Sequence, residues 1–343
     1  MKKLYALSLL FVGTLSFGQT VLTESFNYTA GGNIGGNTTT ATDATGSNNW
    51  LTHSNTAGNS GTIDVLAGNL SYSGLAASVG NKVYLPGSNS AVPRDVNRAI
   101  TSSATALYYS LLVNVIDNTQ LTTTPTYFFG FGGTAGVTVT TLGARLGIAS
   151  SNSGSNFRLS IQNISGGTPT FTENAVDLNF GTTYLVVVKY DISASPTTAT
   201  LWVNPSNLGG TEPASTVTNN SGTQTFSTFA SVYIRNAAGG PKTEIDEIRV
   251  GATWADVTPV SLGVKENNIA GLKVYPNPVT NGKLFITTDA NVEKTVAIYD
   301  VLGKQVVNTT ATEFVNVSNL KGGVYIVKIS EEGKTATRKL VIK

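Results

Sequence analysis

The chain has 343 residues, 22 basic against 20 acidic, with only 12% charged residues, one histidine and no cysteine. Without cysteine there are no disulfides, no acylated-cysteine anchor, no thiolate metal site and no cysteine nucleophile. A single histidine leaves no paired-His zinc site, and the length allows two domains and a core that needs no cross-links.

The N-terminal stretch "MKKLYALSLLFVGTLSFGQT" has a positive start at Lys2 and Lys3 and a short apolar run from Leu4 to Leu15. Ser16 and Gly18 are the small residues at −3 and −1 of a cut before Gln19. Residues 1–18 are therefore expected to be a secretory signal peptide. The apolar run is too short to span a bilayer, and no other stretch suggests a transmembrane segment.

Residues 19–258 are expected to form the working domain. No stretch sustains a 3.6-residue period. Strand-like runs recur instead: 21–28, 106–115, 126–133, 144–149, 157–164, 183–191, 198–205, 231–237 and 244–251. Turn-formers such as "SNSGSN", "SGGTP" and "NLGGTEP" separate them. Two polar segments, 29–49 and 86–98, read as long surface loops. An antiparallel all-β sandwich is expected. Residues 259–271 read as a linker.

From Leu272 the pattern changes. "LFIT", "TVAIYD", "VYIVKI" and "TRKLVIK" are short strands broken by NG, LG, GG and EEG turns, as in a small β-sandwich. Residues 272–343 hold ten basic and six acidic residues, whereas 19–271 hold ten basic and fourteen acidic. The working domain is thus mildly acidic, which argues against a nucleic-acid partner.

Four motifs in the C-terminal stretch, "VYPNP" at 274–278, "IYDVLGKQV" at 298–306, "LKGGVYIVKI" at 320–329 and the final "RKLVIK", resemble the type A C-terminal sorting domain of the type IX secretion system. The resemblance implies an Ig-like sorting domain at 272–343. It also implies passage across the outer membrane and recognition by the secretion machinery and its surface sorting protease. The mature protein would be extracellular or cell-surface attached. In the middle domain, "ESFNY", the pair "YLVVVKYD…TATLWVNP" and the closing "IDEIRVGATWADVTP" resemble the concanavalin A-like, laminin G-like jelly roll. That family includes lectins, adhesion modules, hydrolases and lyases. Its closing strand returns to pair near the first.

The stretch "EIDEI" raises the question of catalysis. Retaining glucanases of this fold carry Glu-x-Asp-x-Glu on one strand, because alternate residues share a face and aim both carboxylates into one cleft. Glu244 and Asp246 fit the first two positions, but Ile248 and Arg249 stand where the third acid is needed. The acids are therefore expected to be structural. Asp246 would share a face with Ile248 and Val250, held by backbone amides or an arginine. Glu247 and Arg249 would decorate the other face. His53, in "LTHSNTAG", has no GxSxG elbow to serve. A lyase using Tyr, Arg and Lys stays open, but no spacing singles one out.

Strand parity suggests a binding face instead. Setting Leu146, Leu159, Leu201 and Val232 inward turns Arg145, Arg158, Gln162, Trp202, Asn204, Tyr233 and Arg235 outward. Aromatic faces and planar hydrogen-bonding groups suit a sugar. The expectation is a non-catalytic, lectin-like binder of polysaccharide or surface glycans. The alternatives are a polysaccharide hydrolase or lyase with an atypical site, and a structural surface module. No cofactor is expected; calcium is the one ion that the resemblance to lectins of this fold allows, although no EF-hand loop occurs.

Overall fold

A computed structural model describes residues 20–35, 50–54, 62–87, 94–215, 217–236, 239–261 and 269–343. The chain divides into two compact units, one through Ser261 and one from Leu262. The expected signal peptide lies outside the described residues, as do 36–49 and 88–93 of the two expected loops.

The strands of the first unit follow the sequence runs closely where those runs are long. They are β1 (Thr20–Glu24), β2 (Asn33–Ile34), β3 (Trp50–Ser54), β4 (Ile63–Leu66), β5 (Lys82–Leu85), β6 (Asp95–Ala99), β7 (Ala106–Val115), β8 (Thr126–Gly132), β9 (Leu142–Ser151) and β10 (Asn156–Ile164). After them come β11 (Thr172–Glu173), β12 (Thr183–Asp191), β13 (Thr198–Val203), β14 (Val217–Asn219), β15 (Ser231–Arg235) and β16 (Thr243–Gly251). The chain crosses repeatedly between two antiparallel sheets. One runs β14-β13-β12-β7-β16-β5-β4-β2, with β1 also paired to β16; the other runs β11-β10-β9-β8-β15-β6-β3. This is a jelly-roll sandwich, and its last strand pairs with its first.

One apolar core fills the space between the sheets, with Leu107, Tyr109, Leu111 and Val186 from one side meeting Phe129, Leu146, Leu159 and Val232 from the other. Each lies on an alternate position of its strand, so its neighbours face outward. The core is continuous enough to dominate stability without cross-links.

A second apolar cluster lies on the outer face of the first sheet. Trp202, Tyr108, Leu112 and Val187 pack there against Trp254 and Val257 of a short helix, α1 (Trp254–Val257). Thr253 and Asp256 close a reciprocal capping box at its start. Trp202 meets the Trp254 ring edge-on at 5.1 Å, and its Nε1 donates to the Pro213 carbonyl at 3.0 Å. The parity reading was right that Trp202 opposes Leu201. It was wrong that this face meets solvent, because α1 covers it.

The "EIDEI" strand also departs from simple alternation. Between Asp246 and Arg249 the pairing with β7 shifts, and Glu247 has φ of 50°. This bulge inserts one residue and reverses the faces after it. Ile245, Ile248 and Val250 all enter the main core, whereas Asp246 does not share their face. Asp246 is fully buried and accepts from the Leu70 and Glu247 amides at 2.9 and 2.7 Å. Glu247 and Arg249 form a buried ion pair rather than decorating a surface, and Glu247 also accepts from the Val79 amide at 2.9 Å. Glu244 is bound by Lys82 at 2.7 Å and Asn114 at 2.9 Å. Asp246 and Glu247 thereby anchor the 67–81 connection to β16.

The second unit has two antiparallel sheets. One holds β17 (Lys273–Tyr275), β18 (Lys283–Thr287) and β21 (Phe314–Asn316); the other holds β19 (Lys294–Tyr299), β20 (Gln305–Ala311), β22 (Gly323–Glu331) and β23 (Lys334–Ile342). Leu284, Ile286, Val296, Ile298, Val327 and Leu340 fill its core. Lys294 is fully buried at its edge, where its ammonium donates to the Val292 and Thr312 carbonyls and faces Glu331 at 3.5 Å.

Candidate functional site

The outer face of the second sheet carries the candidate site. Register places its side chains in a transverse row. Gln162 of β10 pairs with Arg145 of β9. Tyr233 of β15 pairs with Gly130 of β8 on one side and Asn97 of β6 on the other. Asn97 pairs in turn with Leu51 of β3, beside His53.

A bulge sets Arg145 in this row. Ala144 has φ of 47°, and Arg145 falls in the irregular stretch between the Phe129–Leu146 and Phe131–Gly143 pairs. Ala144 and Leu146 both enter the core, so Arg145 faces outward. Tyr109, reaching across the core from the opposite sheet, donates its hydroxyl to the Ala144 carbonyl at 2.8 Å. That bond pins the bulge.

Glycines let neighbouring side chains lie flat across the sheet here. A Cβ on Gly130 would come within 2.6 Å of the Tyr233 hydroxyl, and a Cβ on Gly147 would come within 2.6 Å of the Phe171 ring. Tyr127 stands at the centre. The Arg235 guanidinium lies 4.3 Å and that of Arg145 4.9 Å from its ring centroid, and the Tyr233 ring meets it edge-on at 6.3 Å. The ring face attracts both cations, and Arg235 also donates to the Tyr127 carbonyl at 3.2 Å.

The row carries unmet hydrogen-bonding capacity. Arg145 is only 7% exposed, yet its Nε and Nη2 have no partner among the described residues. The fully buried Tyr233 hydroxyl and the Ser160 hydroxyl also lack one. Native proteins leave few buried polar groups unpaired, because each costs about 1–3 kcal/mol. Four such atoms, on Arg145, Tyr233 and Ser160, gather on this one face. Burial pushes the Tyr233 phenol well above its usual pKa, and Arg145 and Arg235 act in the other direction. Burial lowers His53 to about 4, so its ring is neutral near pH 7.

The structure divides the seven residues expected to share one face. Arg145, Gln162, Tyr233 and Arg235 come together. Arg158 lies on the same sheet toward its end, where Asp177 at 2.6 Å and Glu173 at 2.8 Å engage it. Trp202 and Asn204 belong to the other sheet. Asn204 has φ of 49° and exchanges hydrogen bonds with the Leu185 backbone, accepting at 3.0 Å and donating at 2.8 Å. On each of these strands the parity holds, but the strands belong to two different sheets. Sequence reasoning missed Tyr127, Asn97 and, as a site member, His53. No cluster of three or more potential metal ligands occurs among the described residues.

Residues 273–343 match the family model described as "Secretion system C-terminal sorting domain". The chain is therefore a type IX secretion cargo, extracellular or attached to the cell surface. No helix among the described residues is long and apolar enough to cross a membrane. The chain is 25% identical over 156 residues to the ulvan lyase NLR42 of Nonlabens ulvanivorans; the match covers 44% of this chain and only 29% of that protein. Among solved structures, it is similar to an endo-β-1,4-glucuronan lyase from the fungus Trichoderma reesei, with a TM-score of 0.40, 14% identity, 68% of this chain and 100% of that one covered. It is also similar to an endo-1,3-β-glucanase from Streptomyces sioyaensis, with a TM-score of 0.35, 11% identity, 70% of this chain and 98% of that one covered.

Proposed function

We propose that the first unit is a lyase that cleaves a uronate-containing polysaccharide by β-elimination. The observation that carries this reading is the pairing of Arg145, with two unsatisfied guanidinium nitrogens, and Tyr233, with an unsatisfied hydroxyl, in one row of a sheet face.

β-Elimination has three requirements. The carboxylate at C5 must be neutralised, so that the C5 proton becomes acidic. A base must take that proton. An acid must protonate the departing O4. In the step, the C5–H bond breaks and its electron pair becomes the C4=C5 double bond. The C4–O4 bond breaks, and the oxygen leaves with a proton. Arg145 supplies a planar fork that matches a carboxylate bidentately, and Gln162 adds an amide beside it. Tyr233 is the proton-transfer group: its phenolate takes the C5 proton and its phenol returns a proton to O4. The neighbouring cations favour the phenolate against burial.

The similarity to a protein named as an ulvan lyase supports this class of chemistry, over less than half of this chain. The sequence-based expectation of a lectin-like binder counts Trp202 among its sugar-binding residues, and that residue is packed under α1.

The test is to incubate the full chain with polyglucuronate and with ulvan. Ultraviolet absorbance of the unsaturated uronate would be recorded alongside reducing ends. Both should rise together. Reducing ends without the chromophore would identify a hydrolase, and binding without either would identify a lectin.

A further inference from the structure

Asn97 occupies an unusual position. It is 1% exposed, on the central row between Tyr233 and β3. Its Oδ1 accepts from the Gly136 amide at 3.0 Å, and its Nδ2 donates to the Gly136 carbonyl at 2.7 Å. One side-chain amide thus pairs with both backbone groups of one residue, as a neighbouring strand would. Nδ2 also lies 3.1 Å from the Leu51 carbonyl and 3.2 Å from His53 Nδ1.

These partners fix which way the amide points. Gly136 N–H can only donate, so the atom facing it is Oδ1. The Gly136 and Leu51 carbonyls can only accept, so the atom facing them is Nδ2. Nδ2 has two N–H groups for three acceptors, so His53 Nδ1 shares one of them with a carbonyl, and the amide nitrogen offers an Nδ1 proton no acceptor. A proton on Nδ1 would set N–H against N–H. The ring must offer its lone pair there and carry its proton on Nε2, which has no partner among the described residues.

The same bonds tie down the β8–β9 connection. Residues 133–141 turn back on themselves, with Gly133 N–H donating to the Thr140 and Thr141 carbonyls at 3.1 Å. Thr134 accepts from the Ser231 hydroxyl at 2.7 Å. The connection meets the row through Ser231 and Asn97, on either side of Tyr233.

We infer that Asn97 is a positioning residue that holds His53 as its Nε2–H tautomer and straps the 133–141 connection beside the row. The inference rests on the lyase reading for its consequence: His53 serves substrate as a hydrogen-bond donor, and the proton-abstracting task falls to Tyr233. A neutral imidazole with its lone pair engaged by Asn97 cannot act as the base at that nitrogen. Burial keeps the ring neutral near pH 7, so one tautomer is defined there.

The chain has one histidine, so tag-free protein gives a single imidazole in a long-range proton–nitrogen NMR spectrum. Full-length wild type at pH 7 should show a bare Nδ1 and a protonated Nε2. Asn97→Asp keeps the shape and still accepts from Gly136, but its carboxylate draws a proton to Nδ1, so the tautomer should switch. In that variant elimination should fall by about tenfold or more. In Asn97→Ala the Gly136 amide should exchange with solvent faster than in wild type. A wild-type ring protonated on Nδ1 would overturn the inference, as would Asn97→Asp with an unchanged tautomer. Failure to find unsaturated product from any polyuronate would remove the lyase reading and leave the tautomer result standing. A structural role for Asn97 alone would lower the melting temperature without switching the tautomer.

Discussion

The Arg145 guanidinium lies 4.9 Å from the centroid of the Tyr127 ring, with its Nε and Nη2 unpaired. The aromatic face attracts the cation without using its N–H groups. A buried cation that keeps its donors free is costly to the fold and is stabilised when an anion arrives. In the lyase reading proposed above, this is the group that receives the substrate carboxylate.

Removing that receptor should affect turnover more than folding. Arg145→Ala should reduce elimination by about two to three orders of magnitude, with a melting temperature unchanged or raised, because it deletes unpaired donors. Arg145→Lys keeps the charge but loses the planar fork, and should recover little. Steady-state rates and thermal melts on the same preparations check both.

Trp202, packed under α1, makes the opposite prediction. Trp202→Ala opens a cavity against Trp254 and Val187 and should cost about 3–5 kcal/mol. Per folded molecule, elimination should be unchanged, because Trp202 lies on the sheet opposite the row. Denaturant unfolding with activity normalised to folded protein separates the two effects.

Asp246 gives the fold a pH dependence. Burial raises its pKa from 3.8 to about 7, against the two amides that favour its ionised form. An acid with a raised folded pKa binds more protons folded than unfolded between those values. Its contribution is fully present below about pH 4 and is lost as pH rises through about 7. Asp246→Asn cannot ionise, and it sets an NH₂ against one of the two amides. It should be less stable than wild type, with the largest difference at acidic pH and a smaller one above pH 7. Urea melts from pH 4 to 8 test the sign.

Deletion of residues 262–343 should abolish appearance of the protein outside the cell, since 273–343 match the sorting-domain model. Fractionation of the native host, with full-length protein as control, measures it. Truncated protein at normal levels on the surface or in the medium would contradict the assignment.

The long strands were legible because their apolar runs were long. The runs at 106–115 and 183–191 coincide with β7 and β12 to the residue. The sorting domain was legible because four motifs fell in order. The short strands β3 and β6 were not read: "WLTHS" and "DVNRA" carry polar residues, and β6 was assigned to a loop. His53 and Asn97 sit on those two strands, so that end of the row was not legible. Parity within one strand survives in Arg145 and Tyr233. It cannot say which sheet a strand joins, and so Trp202 and Asn204 were grouped with them. Nor does it foresee a bulge, which is why Asp246 and Ile248 were placed on one face.

The most direct test of the account compares wild type with Tyr233→Phe on polyglucuronate and ulvan from pH 6 to 10, following formation of the unsaturated uronate. Phe keeps the ring beside Tyr127 and removes a buried hydroxyl that has no partner, so the variant should melt at or above the wild-type temperature. Wild-type turnover should rise toward alkaline pH as the phenolate forms, because burial holds its pKa above the usual value. Tyr233→Phe should bind polysaccharide and yield no unsaturated product. Unsaturated product formed by Tyr233→Phe at the wild-type rate would contradict the account.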